Sequence, residues 1–511
     1  FGHQSSLTVV NTIVVFNECG IYVHDVSTVT LRYNCVYGNA DYNYSGVTDP
    51  TGTDGNISAD PKLADTAYGD MHLQPDSPCK DAGDDSVVVP GWLDIDGQAR
   101  IQDDHVDIGA DESDGTVWPE WPYAIVRVAT DGDDANDGSS WALAKRTVQA
   151  GIDAAFLLGG EVWVQAGTYN ERITLRPYAY LYGGFAGMET ERSSRDWIAN
   201  VTIPDGQQGG SVVTVMAGHQ VSRIDGFTIR KGSGILPSYP PYGARRGGGV
   251  YCYGSSTTIA NNRITDNSAE FGGGICCISS FPTIANNTIT ANAARISGGG
   301  IYCSSGSVMI TNNTIIANGA DIAGGIHCEF HTFATIANTI IAFNSSGIYT
   351  GSTGTVTLRH NCVYGNAEYD GLVPDPTGSD GNISTDPLFL HPPSPGPDGQ
   401  WGTADDDCGD LRLSNGSPCI DAGDNAAVPA DTPDLDGDGD TTEPLPFDLL
   451  GGLRFFDDPF AIDTGLGTPP IVDMGAYEHV PMPAVLESSL PASGKSLWRN
   501  QRNIIRLTFD W

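Results

Sequence analysis

Between residues 247 and 345 apolar and polar positions alternate in short runs, as in V-Y-C-Y and T-I-A-N-N, with β-branched side chains at the apolar places and no stripe at helical spacing. A period of two predicts strands with one buried face. The runs themselves recur: GGGVYCYGSSTTIANNRITDN, residues 247–267, is followed by GGGICCISSFPTIANNTITAN and then by GGGIYCSSGSVMITNNTIIAN. Cys252, Cys277, Cys303 and Cys328 step by 25, 26 and 25 residues, and Ile259, Ile284, Ile310 and Ile336 step by 25, 26 and 26. A fixed period of this order marks a solenoid, in which each repeat buries its apolar side only by stacking on its neighbours. Because each period holds several short strands, the predicted fold is all-β: a parallel β-helix whose coils rise by about 4.8 Å, the spacing of paired strands.

The repeated residues have physical duties in such a coil. Gly247, Gly248 and Gly249 fall where the chain turns a corner, where a positive φ is required or a Cβ would strike the next coil. Asn262, Asn287 and Asn313 tolerate such corners, and their amides both donate and accept, so a stacked ladder is expected along one corner. The four cysteines follow Val250, Ile275, Ile301 and Ile326 by two residues, which puts them on the inward face as small apolar fillers. A disulfide between adjacent coils is also open to them, since about 4.8 Å is a permitted Cα separation.

A longer repeat overlies the first. Residues 8–39 match residues 335–366 at an offset of 327, and the match continues through DSPCKDAGD against GSPCIDAGD and VDIGADE against VDMGAYE. Residues 1–113 therefore read as the C-terminal part of a first β-helix unit with its cap, 114–123 as a linker, and 124–480 as a complete second unit. In the second unit 124–160 forms an N-terminal cap: Val148, Ile152 and Phe156 recur at helical spacing before a Gly pair. A short amphipathic helix is expected there, covering an edge that would otherwise invite other strands. The coils proper span 161–366, an Asp/Gly/Pro-rich C-terminal cap spans 367–480, and 481–511 reads as the start of a β-sandwich module. A chain that opens midway through a solenoid is expected to continue upstream, or to be completed by another copy end to end.

VATDGDDANDGSSW, followed by the helix and VWVQAGTYNERITL, resembles the right-handed parallel β-helix repeat proteins of bacteria, in the broad pectate-lyase-like superfamily. The closing SPCIDAGDN and VDMGAYE are similar to the choice-of-anchor Q group of secreted proteins within it, and the tail from about residue 485 resembles bacterial immunoglobulin-like modules. The resemblance covers nearly all of residues 1–480 and implies right-handed coiling. It implies no single activity, because the superfamily holds lyases, polygalacturonase-like hydrolases, adhesins and large surface proteins, so function has to be argued from the site.

Composition narrows the partners. With 25 basic against 63 acidic residues the formal charge is −38, which excludes nucleic acid and favours cations. No apolar run approaches the roughly 18 residues needed to cross a bilayer, so this segment inserts into no membrane. The opening FGHQSSLTVV lacks the features of a secretion leader, so any leader is expected to be removed or upstream. Eleven cysteines without zinc spacing point to an oxidising compartment, and an extracellular or cell-surface location is expected. Cys35 and Cys79 recur as Cys362 and Cys419, so a disulfide from last coil to cap is expected once per unit.

The most specific chemical signal is acidic. PDLDGDGDTTE places Asp434, Asp436, Asp438 and Asp440 at alternate positions with Glu443 beyond. Alternating carboxylates in a Gly-containing loop supply the oxygen ligands that Ca2+ requires. A second candidate is Asp398, Asp405, Asp406 and Asp407, and a third is Asp131, Asp133, Asn136 and Asp137; in each the ion would be structural. A glycosidase needs paired carboxylates, and Asp266, Glu270, Asp321 and Glu329 fall at different coil positions. Arg230, Lys231, Arg245 and Arg246 concentrate positive charge around an insertion whose Tyr239 and Tyr242 could stack on sugar rings. His219, His327 and His331 suggest no nucleophile partner. The expected protein is thus non-enzymatic: an extracellular structural or adhesive repeat protein, stabilised by Ca2+, in a filament, stalk or surface array. The alternative is a polyuronate lyase or hydrolase, or a glycan-binding protein, using the groove near 230–246.

Overall fold

The computed structural model describes residues 6–481 apart from 18, 24–27, 66–69, 117–123, 157–159, 177–178, 217–220, 238–242, 352, 367–369, 372–374, 404, 433 and 439. Most of the expected linker, nearly all of the expected β-sandwich segment, His219, Tyr239 and Tyr242 lie outside the described residues.

From residue 124 onward the chain winds in coils whose strands pair in parallel. One face runs Ala124–Val128, Gly160–Gln165, Ala179–Phe185, Val221–Asp225, Ser256–Ala260 and Thr283–Ala285. A second runs Ile173–Leu175, Val213–Met216, Val250–Tyr253 and Ile275–Ile278. Two longer strands, Ile301–Thr311 and Ile326–Ala337, pass through the corner between these faces and join them into one fifteen-stranded sheet. A third face stacks Thr228–Arg230, Arg263–Thr265, Thr288–Thr290, Thr314–Ile316, Ile340–Ala342 and Cys362–Tyr364. The helix expected near the start is present as Val148–Phe156, with Val148 and Ile152 buried on the core. Ala124–Val128, assigned above to the cap, is itself a rung of the first face.

Like stacks on like inside the coils. Cys252 registers with Cys277, Cys277 with Cys303, and Cys303 with Cys328, all buried in the same core as the isoleucine columns. Their thiols are free; hydrogen bonding with Cys252 and Cys303, and then burial, raise that of Cys277, and burial raises that of Cys328. The glycine run divides its labour as expected. Gly247 has a φ of +57°, whereas a Cβ on Gly248 would lie 2.3 Å from the Gly273 carbonyl oxygen of the next coil.

The paired asparagines divide theirs in a way that the sequence did not reveal. The first member of each pair, Asn261, Asn286 or Asn312, takes the positive φ. The second forms the ladder: Asn262 Nδ2 donates to Asn287 Oδ1 at 3.1 Å and Asn287 Nδ2 to Asn313 Oδ1 at 3.0 Å. A second ladder, Asn267, Asn292, Asn318, Asn344 and Asn366, runs along the next corner. Each amide also donates to the carbonyl of a preceding rung, as Asn287 does to Ile259 O at 2.8 Å, which satisfies backbone groups that a corner would otherwise strand.

The aperiodic acidic segment does more than cover the last coil. It returns along the outside of the coils as a strap. Asn338 Nδ2 donates to Asp424 O at 2.9 Å, Asn312 Nδ2 to Asp473 O at 3.4 Å and Asn286 Nδ2 to Phe447 O at 3.0 Å. Further back, Arg223 Nη1 donates to Thr432 O at 3.0 Å and Trp197 Nε1 to Leu449 O at 2.9 Å. Asn286, Asn312 and Asn338 are therefore fastening points for the strap, whereas Asn261 Nδ2 donates to Asp225 at 2.9 Å. Residues 6–113 repeat the arrangement: Ile13–Val15 pairs with Cys35–Tyr37 in parallel, and Asn11 exchanges hydrogen bonds with Asp84 as Asn338 does with Asp424.

Candidate cation sites and an outer-face cavity

The strap residues that recur between units are its clamps. Asp473 Oδ1 accepts from the Asp421 amide at 2.7 Å and its Oδ2 from the His479 amide at 2.6 Å; Asp107 treats Asp81 and Ser113 in the same way. Glu478 lies 3.3 Å from Arg454 and Glu112 lies 3.1 Å from Arg100. SPC-x-DAGD and VD-x-GA-x-E are thus motifs of structure. Cys35 and Cys79 meet in one small core and Cys362 and Cys419 in another. All four are free thiols, with Cys35 and Cys362 each donating to a backbone carbonyl at 3.2 Å.

Between its clamps the strap carries the DGDGD loop. Successive turns aim its carboxylates together: Asp434 Oδ1 accepts from the Gly437 amide at 2.7 Å, and Asp438 Oδ1 from the Asp440 amide at 2.8 Å. Carboxylate oxygens of Asp434, Asp436 and Asp438 lie within 4.8 Å of one another, and those of Asp431, Asp436 and Glu443 form a second such group. Asp431 was not foreseen, because it precedes the alternating run. It is fully buried; Oδ2 accepts from the Leu435 amide at 2.7 Å while Oδ1 has no partner. Burial pushes its carboxyl up to about 7, against the Leu435 amide and the Arg223 guanidinium. Burial, then the surrounding aspartates, raise Glu443 as well. Oxygen ligands of this number and hardness suit Ca2+. Asp440 stands apart, accepting from the Thr442 amide and hydroxyl.

The other two predicted loops do not converge in this way among the described residues. Asp398, Asp405, Asp406 and Asp407 each accept from an amide of their own loop, at 2.8, 3.2, 2.7 and 2.9 Å respectively. Asp133 and Asp137 do likewise for Ala135 and Ser139, Asn136 donates to Ala144 O, and Asp131 is exposed. Turn closure and ion binding make the same demand on an Asp-rich sequence, so composition cannot separate them. Two further groups were missed: His72 with Asp96 and Asp111, and Asp421 with Asp457 and Asp463. Their members are too far apart in the chain to form a motif.

The basic concentration disperses on folding. Arg230 and Lys231 both turn to Asp205, at 2.9 and 3.5 Å, and the Arg245 amide donates to Glu270 at 2.7 Å. Arg246 instead lines a cavity of about 600 Å³ on the outer side of the second face. Its guanidinium lies 4.8 Å from the Phe271 ring centre, and Nε and Nη1 are buried without a partner. Tyr302 donates to Glu329 at 2.6 Å beside it, and Ser297 is hydrogen-bonded to His327 Nδ1. This corrects the expectation for His327. It is buried, its pKa is lowered to about 4 by burial, and it does have a serine neighbour.

Residues 211–373 match the family described as "Right handed beta helix region". No curated protein matches the chain. Among solved structures, the chain is similar to pectate lyase Pel9A at 14% identity and a TM-score of 0.34, over 70% of this chain and 96% of that one. It is similar to the pectin methylesterase PemA from Erwinia chrysanthemi at 11% identity and a TM-score of 0.23, over 62% of this chain and 98% of that one. What the chain has in common with known proteins is its architecture, the right-handed parallel β-helix.

Proposed function

We propose that this chain is an extracellular structural or adhesive repeat protein whose strap is held to the coils by Ca2+. The observation that supports the reading is Asp431: a fully buried carboxylate with one unpartnered oxygen, grouped with Asp436 and Glu443 so that a carboxylate oxygen of each lies within 4.8 Å of the others, in a segment bonded to the coils on either side of it. An unpaired buried charge is costly, and a hard cation bound by the loop would remove that cost while locking the strap. Such an ion serves cohesion. Self-association, or continuation of the same chain end to end into a filament or surface array, accords with a fold built by stacking.

The expected result of chelation is a lower melting temperature that added Ca2+ restores. At a hundredfold excess of Ca2+ over its dissociation constant, one site contributes about 2.7 kcal/mol. An unchanged melting curve would remove the ion from the account. Incubation with pectate, alginate and polygalacturonate is expected to release neither unsaturated nor reducing ends, and clear turnover would overturn the structural reading.

One observation favours a second reading, an acidic-glycan-binding protein: the unpaired donors of Arg246 in an aromatic-walled cavity. On that reading titration with oligogalacturonate gives saturable heat, and Arg246→Gln weakens it tenfold or more. No heat with the wild-type protein would dismiss it.

A further inference from the structure

The two copies of the strap satisfy the same carboxylate differently. In the first, Asp81 Oδ1 accepts from the Asp104 and His105 amides at 3.1 and 3.2 Å, and Asp103 lies 3.0 Å from Lys80. In the aligned second copy Asp81 becomes Asp421, Asp103 becomes Asp457, and Lys80 becomes Ile420. A longer connection to the closing motif then adds Asp463. Asp421 is fully buried with a φ of +48°, and neither of its carboxylate oxygens has a hydrogen-bond partner of good geometry, the nearest donor being the Asp458 amide. Carboxylate oxygens of Asp421, Asp457 and Asp463 lie within 4.8 Å of one another. Among the described residues no Lys, Arg or His is paired with any of the three; the nearby His479 pairs with Asp458 at 2.9 Å.

The loop is held in this arrangement by its backbone. The Thr464 and Gly465 amides donate to Asp421 O at 2.9 and 3.0 Å, which fixes the segment carrying Asp463 over the buried carboxylate. One copy thus has two well-bonded amides and a lysine where the other has three facing carboxylates, the Asp458 amide alone beside Asp421 and, among the described residues, no paired positive charge.

We propose that Asp421, Asp457 and Asp463 form a second divalent-cation site, taking Ca2+, distinct from the DGDGD loop. Its ion does in the second unit what the Lys80 ammonium and two amides do in the first. The buried Asp421 supplies the anchoring ligand, and the exposed Asp457 and Asp463 close over the ion.

Calorimetric titration of the whole chain with Ca2+ alone, after chelator treatment, tests this beside three variants. Asp457→Asn/Asp463→Asn is expected to lose one binding event, and Asp436→Asn to lose a different one that is additive with the first. The surface double variant spares the buried Asp421, so a folding defect is not expected, and circular dichroism checks that. Ile420→Lys is expected to remove the same event as the double variant by restoring the first copy's arrangement. Unchanged binding in Asp457→Asn/Asp463→Asn overturns the second site even if Asp436→Asn still loses its event. Loss in Asp457→Asn/Asp463→Asn with no effect of Asp436→Asn would instead uphold this site and remove the ion from the DGDGD loop.

Discussion

Replacing Asn287 with alanine is expected to lower the stability of the coils by about 2 to 9 kcal/mol, two or three buried polar groups left unpaired at roughly 1–3 kcal/mol each. Its amide donates to Ile259 O, Ala285 O and Asn313 Oδ1, and its oxygen accepts from both the backbone and the side chain of Asn262. These groups lie where the strands end at the corner, and of them Ala285 O keeps a second donor in the Asn261 amide at 3.3 Å. Asn286→Ala, one residue away, is the informative contrast. Asn286 bonds outward to Asn261 and Phe447 O, so its loss should loosen the strap and leave the coils standing. Guanidinium unfolding followed by far-ultraviolet circular dichroism separates the two. Equal losses at both positions would mean that the ladder carries no special share of stability.

The second large effect is expected at Asp225→Ala. Asp225 is buried between Arg195 at 2.5 Å and Arg223 at 2.7 Å, both guanidinium side chains only 2% exposed. Burial would raise its carboxyl, but the two arginines hold it below the usual range. Removing the carboxylate strands two positive charges, and breaking one such buried pair typically costs about 3–5 kcal/mol. The loss at Asp225 should therefore reach the upper end of that range. Arg223 also donates to Thr432 O of the strap, so the damage should spread to the strap. If Asp225→Ala melts within 2 or 3 °C of wild type, a shift of roughly 1 kcal/mol or less for a large domain, water must reach the triad.

How much of this was legible depends on the range of each interaction. The coils were, because Gly248, Cys252 and Asn262 repeat their environments at a fixed period and each environment admits few residue types. The helix at Val148–Phe156 was legible from its apolar spacing. The course of the strap was not, since it is fixed by single contacts between residues far apart in sequence, such as Trp197 with Leu449 O or Arg223 with Thr432 O. The site was half legible. Alternating aspartates announced the DGDGD loop, but Asp431 and Asp421 look like ordinary acidic residues until burial removes their partners. The other Asp-rich loops mimic the same composition with carboxylates turned to their own amides. The cavity around Arg246 was concealed because Arg246, Phe271, Tyr302 and His327 come from successive coils and meet only through the strand register.

Amide hydrogen exchange of the intact chain, with Ca2+ and with chelator, asks whether divalent cations fasten the acidic strap to the coils. Amides of residues 430–465 are expected to exchange markedly faster once Ca2+ is removed, while those of the coil strands between 250 and 345 keep their protection. Identical exchange of the strap in both conditions would contradict fastening by cations.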